Sequence, residues 1–258
     1  MHPLRSKFIS LVLILLLAIA LKIWLLGLDV VPFNADEAVV GLMARHILAG
    51  ERPVFFYGQA YMGSLDAWLV AAGFGLVGQN VMVIRLVQIV LYLGTILTTA
   101  WLGKSALHST TRGLLAALFL AVPVVNTTLY TTVSLGGYGE ALLIGNLLLL
   151  TCLAILRRLE TEEPFGSAAA RRRFWALLLL WGLLAGLGLW ANGLTLVYSV
   201  PSGIALLWRI LSDKQKDVLS GRRMVAGIGS VLAGFLLGTL PLILYAFQSD
   251  GLRLLTEL

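Results

Sequence analysis

The sequence predicts an all-α membrane protein. It reads as a polytopic bundle of about seven transmembrane helices, with two juxtamembrane helices in the first outer loop. Three observations predict this. The first is composition: 59% of the 258 residues are hydrophobic and 12% are charged. A soluble domain has about 45–50% apolar and about 25% charged residues. The second is that the apolar residues gather in runs of bilayer-crossing length. The third is that the few charges sort by side of the membrane. The same numbers exclude a soluble enzyme and a disordered chain, which needs high charge and low hydrophobicity. A disulfide scaffold is excluded because Cys152 is the only cysteine. All 258 residues are read as a single transmembrane domain.

The first span is residues 8–28, behind Arg5 and Lys7. Its rise is about 31 Å, enough to cross the hydrocarbon. No small-residue cleavage site precedes Asp29, so the run is read as an uncleaved helix with a cytoplasmic amino terminus. Further spans are predicted over residues 81–102, 113–129, 140–156, 174–191, 195–211 and 224–247. The run 65–78 rises only about 21 Å and is too short to cross upright. If it crossed, the basic loops 103–112 and 157–173 would both fall outside. It is therefore read as a helix lying in the outer leaflet.

With that parity, fourteen of the nineteen Lys and Arg residues lie inside, among them Lys104, Arg112, Arg157, Arg158, Arg171, Lys214 and Lys216. Four lie outside: Arg45, Arg52, Arg85 and Arg253. Lys22 falls within the first span. This bias satisfies the positive-inside rule and accounts for the net charge of +6 without nucleic acid. Eight of the thirteen acids lie outside: Asp29, Asp36, Glu37, Glu51, Asp66, Glu140, Asp250 and Glu257. Acids contribute little to insertion, so their enrichment points to a need for carboxylates on the outer face.

The loop 29–80 is the most informative stretch. Asn34 is suited to cap a helix, and Glu37 three residues on resembles a capping box. Val39, Leu42, Met43 and Ile47 follow helical spacing up to a stop at Gly50, which predicts a surface helix over 36–49. Residues 53–64, rich in aromatics and glycine, are expected to be irregular chain, with Ser64 capping the helix 65–78. Asp36 and Glu37 thus start a helix at the membrane–water boundary. First-turn acids suit the helix dipole. A partly desolvated carboxylate is also a stronger base, able to take a proton from an acceptor hydroxyl or to hold a divalent metal through oxygen.

Asp36-Glu37-Ala38, Gly50, Pro53, Tyr57-Gly58, Tyr61, Gly63 and Arg85-Leu86 stand in an order that resembles the membrane-embedded glycosyltransferases of the GT-C class. Within that class the chain is similar to the protein O-mannosyltransferase and aminoarabinose-transferase branches. The resemblance covers roughly the first 100 residues well and the rest loosely. It implies two juxtamembrane helices between the first two spans. It also implies transfer of a sugar from a polyprenyl-phosphate donor to a lipid, glycan or protein acceptor on the outer face of the cell membrane. Asp36 would stand at the reaction centre, with Glu37 following it. Glu140, in Gly136-Gly137-Tyr138-Gly139-Glu140, would take the family's second acidic position, and a divalent metal, if used, would fall to Asp36 and Glu140. The class is usually longer, so a carboxy-terminal half is an expected partner.

Other candidates follow from position. Arg85 opens the second span against the charge bias; it fits the phosphate of a lipid-linked sugar, or snorkels to ordinary headgroups. Arg45, Arg52 and His46 are weaker candidates for that phosphate. Tyr57, Gln59, Tyr61 and Tyr138 are candidates for binding sugar or acceptor, and interfacial aromatics also serve as anchors. Cys152 is mid-span and suited to pack as a small apolar residue. The rival readings are a transporter or lipid flippase and a non-catalytic membrane subunit. Apart from Lys22, the spans lack the midplane charges a transporter uses.

Overall fold

The computed structural model describes residues 3–160, 167–212 and 221–248. Lys214, Lys216, Asp250, Arg253 and Glu257, used above to assign sides, lie outside them. The chain is almost entirely helical. Its elements run α1 (Pro3–Gly27), α2 (Ala35–Leu48), a hairpin of β1 (Phe55–Phe56) and β2 (Gln59–Gly63), and α3 (Leu65–Val77). Then come α4 (Val81–Leu107), α5 (Thr110–Ala121), α6 (Val125–Tyr130), α7 (Tyr138–Leu159) and α8 (Ala168–Ala191). A 3₁₀ turn (Gly193–Thr195), α9 (Leu196–Ser212), α10 (Gly221–Gly238) and α11 (Leu240–Gln248) complete it. Among the described residues, five helices are long and apolar enough to cross a bilayer. A sixth is added if α10 and α11, bent by 66° at their junction, form one broken span.

The expected span over 113–129 is not one helix. α5 has 12 residues, a rise of about 18 Å. It stops because Pro123 has no amide proton to continue the ladder and its ring disfavours helix in the residue before it. Val122 accordingly leaves the helical region, at φ −115° and ψ 73°.

The first loop departs from expectation in three places. Residues 53–64 are not irregular: the two short strands pair antiparallel, with Phe56 opposite Gln59. Gly58, at φ +79°, supplies the left-handed residue that the tight turn needs. Ser64 makes no cap bond on α3; its hydroxyl donates to the Pro53 carbonyl and closes the hairpin. Asn34 does cap α2, accepting from the Glu37 amide at 3.0 Å. Glu37 does not complete the capping box, because its carboxylate is held elsewhere.

The chain divides into two compact units, Met1–Leu143 and Ile144–Leu258. In the first, Val40 and Met43 of α2, Val70 and Phe74 of α3, Phe56 and Met62 of the hairpin and Ile84 of α4 form one buried cluster. A second cluster joins Ile14 and Ala18 of α1 to Tyr92 and Ile96 of α4 and Ala117 of α5. α4 and α5 touch at Gly103 and Gly113: a Cβ on Gly103 would lie 2.9 Å from the Gly113 Cα. In the second unit, α8 and α10 approach through Gly182 and Gly186 against Gly234 and Gly238. A Cβ on Gly186 would come within 3.0 Å of the Thr239 backbone nitrogen. Such small-residue contacts let helices pack by van der Waals attraction where lipid removes the hydrophobic drive. Cys152 packs in the apolar core of this unit with Phe174 and Leu206, as expected.

Candidate functional site

The sequence-predicted residues fall into separate settings within the first unit. Glu37 and Arg85 come together. Glu37 is fully buried, and the Arg85 Nε and Nη2 each donate to one of its carboxylate oxygens at 3.1 Å. Nη2 also donates to the Val31 carbonyl at 3.0 Å. This two-pronged pair ties the first turn of α2, and the chain before it, to the start of α4. Arg85 is thus committed to a protein carboxylate rather than presented to a phosphate, and Glu37 is committed to Arg85.

Asp36, next in the same turn, stands apart. It is half-buried and makes no hydrogen bond or ion pair among the described residues. At 100° per residue it shares a helix face with Val40, Met43 and Ile47, all of them buried. It therefore sits where the packed face of α2 ends. An open cleft of about 380 Å³ beside α2 is lined by Glu37, Arg45, Gln79 and Asn80, among others, and not by Asp36.

Glu140 meets an acid that sequence reasoning counted but did not place in the site. Asp66, in the first turn of α3, is buried and hydrogen-bonded with the Glu140 carboxyl. Asp66 also accepts from Gln88 Nε2 at 2.8 Å, from the Ser134 hydroxyl and from the Gly137 amide. Local sequence explains the fit. Gly136 and Gly137 both adopt positive φ, and a Cβ on Gly139 would lie 2.6 Å from Gln88 Oε1. Substituted residues would push the loop away from Asp66. Apart from Asp66, no other described residue donates to either oxygen of Glu140. Two carboxylates in contact away from water do not both ionise, so the pair is satisfied by one shared proton. Burial pushes the Asp66 carboxyl up, against the pull of its bonds to Ser134, Glu140, Gln88 and Gly137.

The aromatic candidates are also engaged. The Tyr57 hydroxyl donates to Glu51 Oε2 at 3.0 Å and lies 3.0 Å from His46 Nδ1. Burial first, then the bond to Glu51 and its charge, push the Tyr57 phenol up. Tyr61, exposed, donates to Gln59 Oε1 at 2.8 Å. Tyr138 stacks on Tyr130, with ring centres 4.6 Å apart and planes 21° from parallel. That pair forms a flat aromatic surface at the start of α7, with Tyr138 two residues before Glu140. Among the described residues no three His, Cys, Asp or Glu side chains converge to hold a metal.

Two positions were not visible as partners in the sequence. Gln88 lies one helical turn beyond Arg85, and only that spacing hinted that α4 presents a polar face. Lys22, set aside as a lone charge in a span, is buried against α4 and the segment after α6. No protein-family model matches the chain, and no curated protein or solved structure is significantly similar to it.

Proposed function

We propose that the chain is a membrane glycosyltransferase module of the GT-C kind, moving a sugar from a polyprenyl-phosphate donor to an acceptor on the outer face of the cell membrane. One observation carries the reading. Asp36 is a half-buried carboxylate with no partner among the described residues, on a turn whose neighbour Glu37 is locked to α4. An anchored, unengaged carboxylate suits a general base that removes the acceptor proton as the sugar carbon breaks from the donor phosphate. Glu37 then acts as a positioning residue, and Arg85 holds it. Tyr130 and Tyr138 offer an aromatic face of the type that stacks on sugar rings.

In this reading α2 and α3 lie along the membrane, and α5 with α6 form one broken crossing. Counting the five apolar spans and the bent pair first, that makes the seventh. Asp36→Asn is expected to abolish sugar transfer from a radiolabelled polyprenyl-phosphate-sugar pool by membranes carrying the variant, with the amount of inserted protein unchanged. Transfer at the wild-type rate would remove Asp36 from the reaction.

A second reading, transport, is favoured by the 66° break between α10 and α11, since transporters form sites at interrupted helices. Substrate uptake into sealed vesicles without covalent transfer would select it.

A further inference from the structure

Lys22 lies inside α1, and its side chain is 2% exposed. The ammonium donates to the Thr128 carbonyl at 3.1 Å, to Thr131 Oγ1 at 2.7 Å and to Thr132 Oγ1 at 2.6 Å. It also sits 4.4 Å from the centre of the Tyr92 ring. The two hydroxyls pass their own protons to the backbone, Thr131 to Thr127 at 2.6 Å and Thr132 to Thr128 at 2.5 Å. Three acceptors and a ring face match the three N–H groups of an ammonium. All of these partners are neutral. No acid among the described residues pairs with Lys22. Dipoles satisfy the donors but do not cancel the charge, and a buried charge ordinarily has a counter-ion.

The same lysine lines an open cavity of about 450 Å³. That volume is in the range of small-molecule sites. Its other walls are largely apolar, built by Leu21 and Trp24 of α1, Val31 after it, and Pro123 and Leu129 around α6. One fixed cation in an otherwise apolar recess selects an anion carried on an apolar chain. Free anions gain the charge but not the walls, and uncharged chains gain the walls but leave the charge alone.

We propose that this cavity binds the anionic headgroup of a membrane amphiphile, a phosphate by preference, with the Lys22 ammonium as its counter-ion. The inference does not rest on sugar transfer, because the ligand needs only a phosphate and an apolar chain. The test titrates the full chain, purified in an uncharged detergent, with decyl phosphate, decanol and inorganic phosphate. Decyl phosphate is expected to bind at least about tenfold more tightly than either of the others, because it alone gains both the charge pairing and the apolar walls. Lys22→Met is expected to remove that preference, and Lys22→Arg to keep part of it. Equal binding of decanol would reduce the cavity to an apolar groove and overturn the proposal. Equal binding of inorganic phosphate would make it a free-anion site and overturn it as well. Unchanged decyl phosphate affinity in Lys22→Met would do the same. Should Lys22→Met fail to fold, Val125→Trp decides. Val125 is 83% exposed at the cavity rim, so the larger ring fills the recess without touching the buried lysine. Loss of decyl phosphate binding with unaltered thermal stability supports the site, and full affinity overturns it.

Discussion

Glu37 and Asp66 are both buried carboxylates, both in the first turn of a short helix, and both answered by α4. They differ in what answers them. Glu37 receives Arg85, an opposite charge that neutralises it and fills both oxygens. Asp66, met one turn further along α4, receives the neutral Gln88, and beyond it a second acid, Glu140. The first arrangement is closed: every charge is matched, and the pair's role is to fix α2 against α4. The second carries surplus negative charge and is satisfied only by a bound proton. Equal burial therefore gives a rivet in one place and a titrating centre in the other. The distinction also explains why Asp36, adjacent to the rivet but outside it, is left available.

The largest expected effect tests the rivet. Arg85→Ala leaves Glu37 charged and buried without a partner, a change that typically removes about 3–5 kcal/mol. Unfolding of the purified protein in detergent should show a loss of that size. The double variant Glu37→Met with Arg85→Leu should recover most of it, because apolar residues of similar volume need no counter-ion. If Arg85→Ala costs less than about 1 kcal/mol, Glu37 has another route to solvent or charge, and the contrast with Asp66 disappears.

The second test concerns the proton. Asp66 titrates above its ordinary range in the folded state, so the folded chain binds a proton more readily than the unfolded chain does. The stability this contributes is fully present below the ordinary Asp value of about 3.9 and is lost as pH rises from there through the higher folded value. Stability should fall across that window with a slope of up to about 1.4 kcal/mol per pH unit. The double variant Asp66→Asn with Glu140→Gln removes both members of the titrating pair and allows an amide–amide hydrogen bond between them. It is expected to flatten the slope and to change stability at neutral pH by no more than about 1 kcal/mol, unlike Arg85→Ala. An unchanged slope in the double variant would place the proton on a group outside the pair.

The sequence carried the local signals of this region and hid the distant ones. Asn34 declared the start of α2 through a bond three residues long, and the apolar runs declared the spans through composition alone. Pro123 was visible too, yet a window average over 113–129 stayed apolar and masked the break it causes. The hairpin escaped because its first strand is two residues long, too short for alternation to register, and Gly58 alone marked its turn. Asp66 and Ser134 are 68 positions apart, and Lys22 and Thr132 are 110 apart. No periodicity spans such distances, and packing decides which polar residues of a membrane chain find each other. Glu37 and Arg85, 48 apart, illustrate the cost of reading them singly. Each looked like a group reserved for a ligand until its partner came into view.

The smallest effect probes a third carboxylate setting, open to water. Glu51 is exposed, and Tyr57 joins it to His46 across the gap between the end of α2 and the hairpin. His46 Nδ1 and Glu51 Oε2 are 3.6 Å apart, so the three groups form one cluster. Water competes for each of these bonds, so their net contribution sits at the low end of the usual range. Tyr57→Phe keeps the ring against the core of α2 and α3 and deletes only the hydroxyl. A loss of about 0.5 kcal/mol is expected, with sugar transfer and decyl phosphate binding both unchanged. If instead Tyr57→Phe lowers transfer while leaving stability intact, the hydroxyl serves the acceptor or donor rather than Glu51. The exposed cluster would then belong with Asp36 as part of the reacting surface, and the division between fixed and available groups would have to be redrawn around the hairpin.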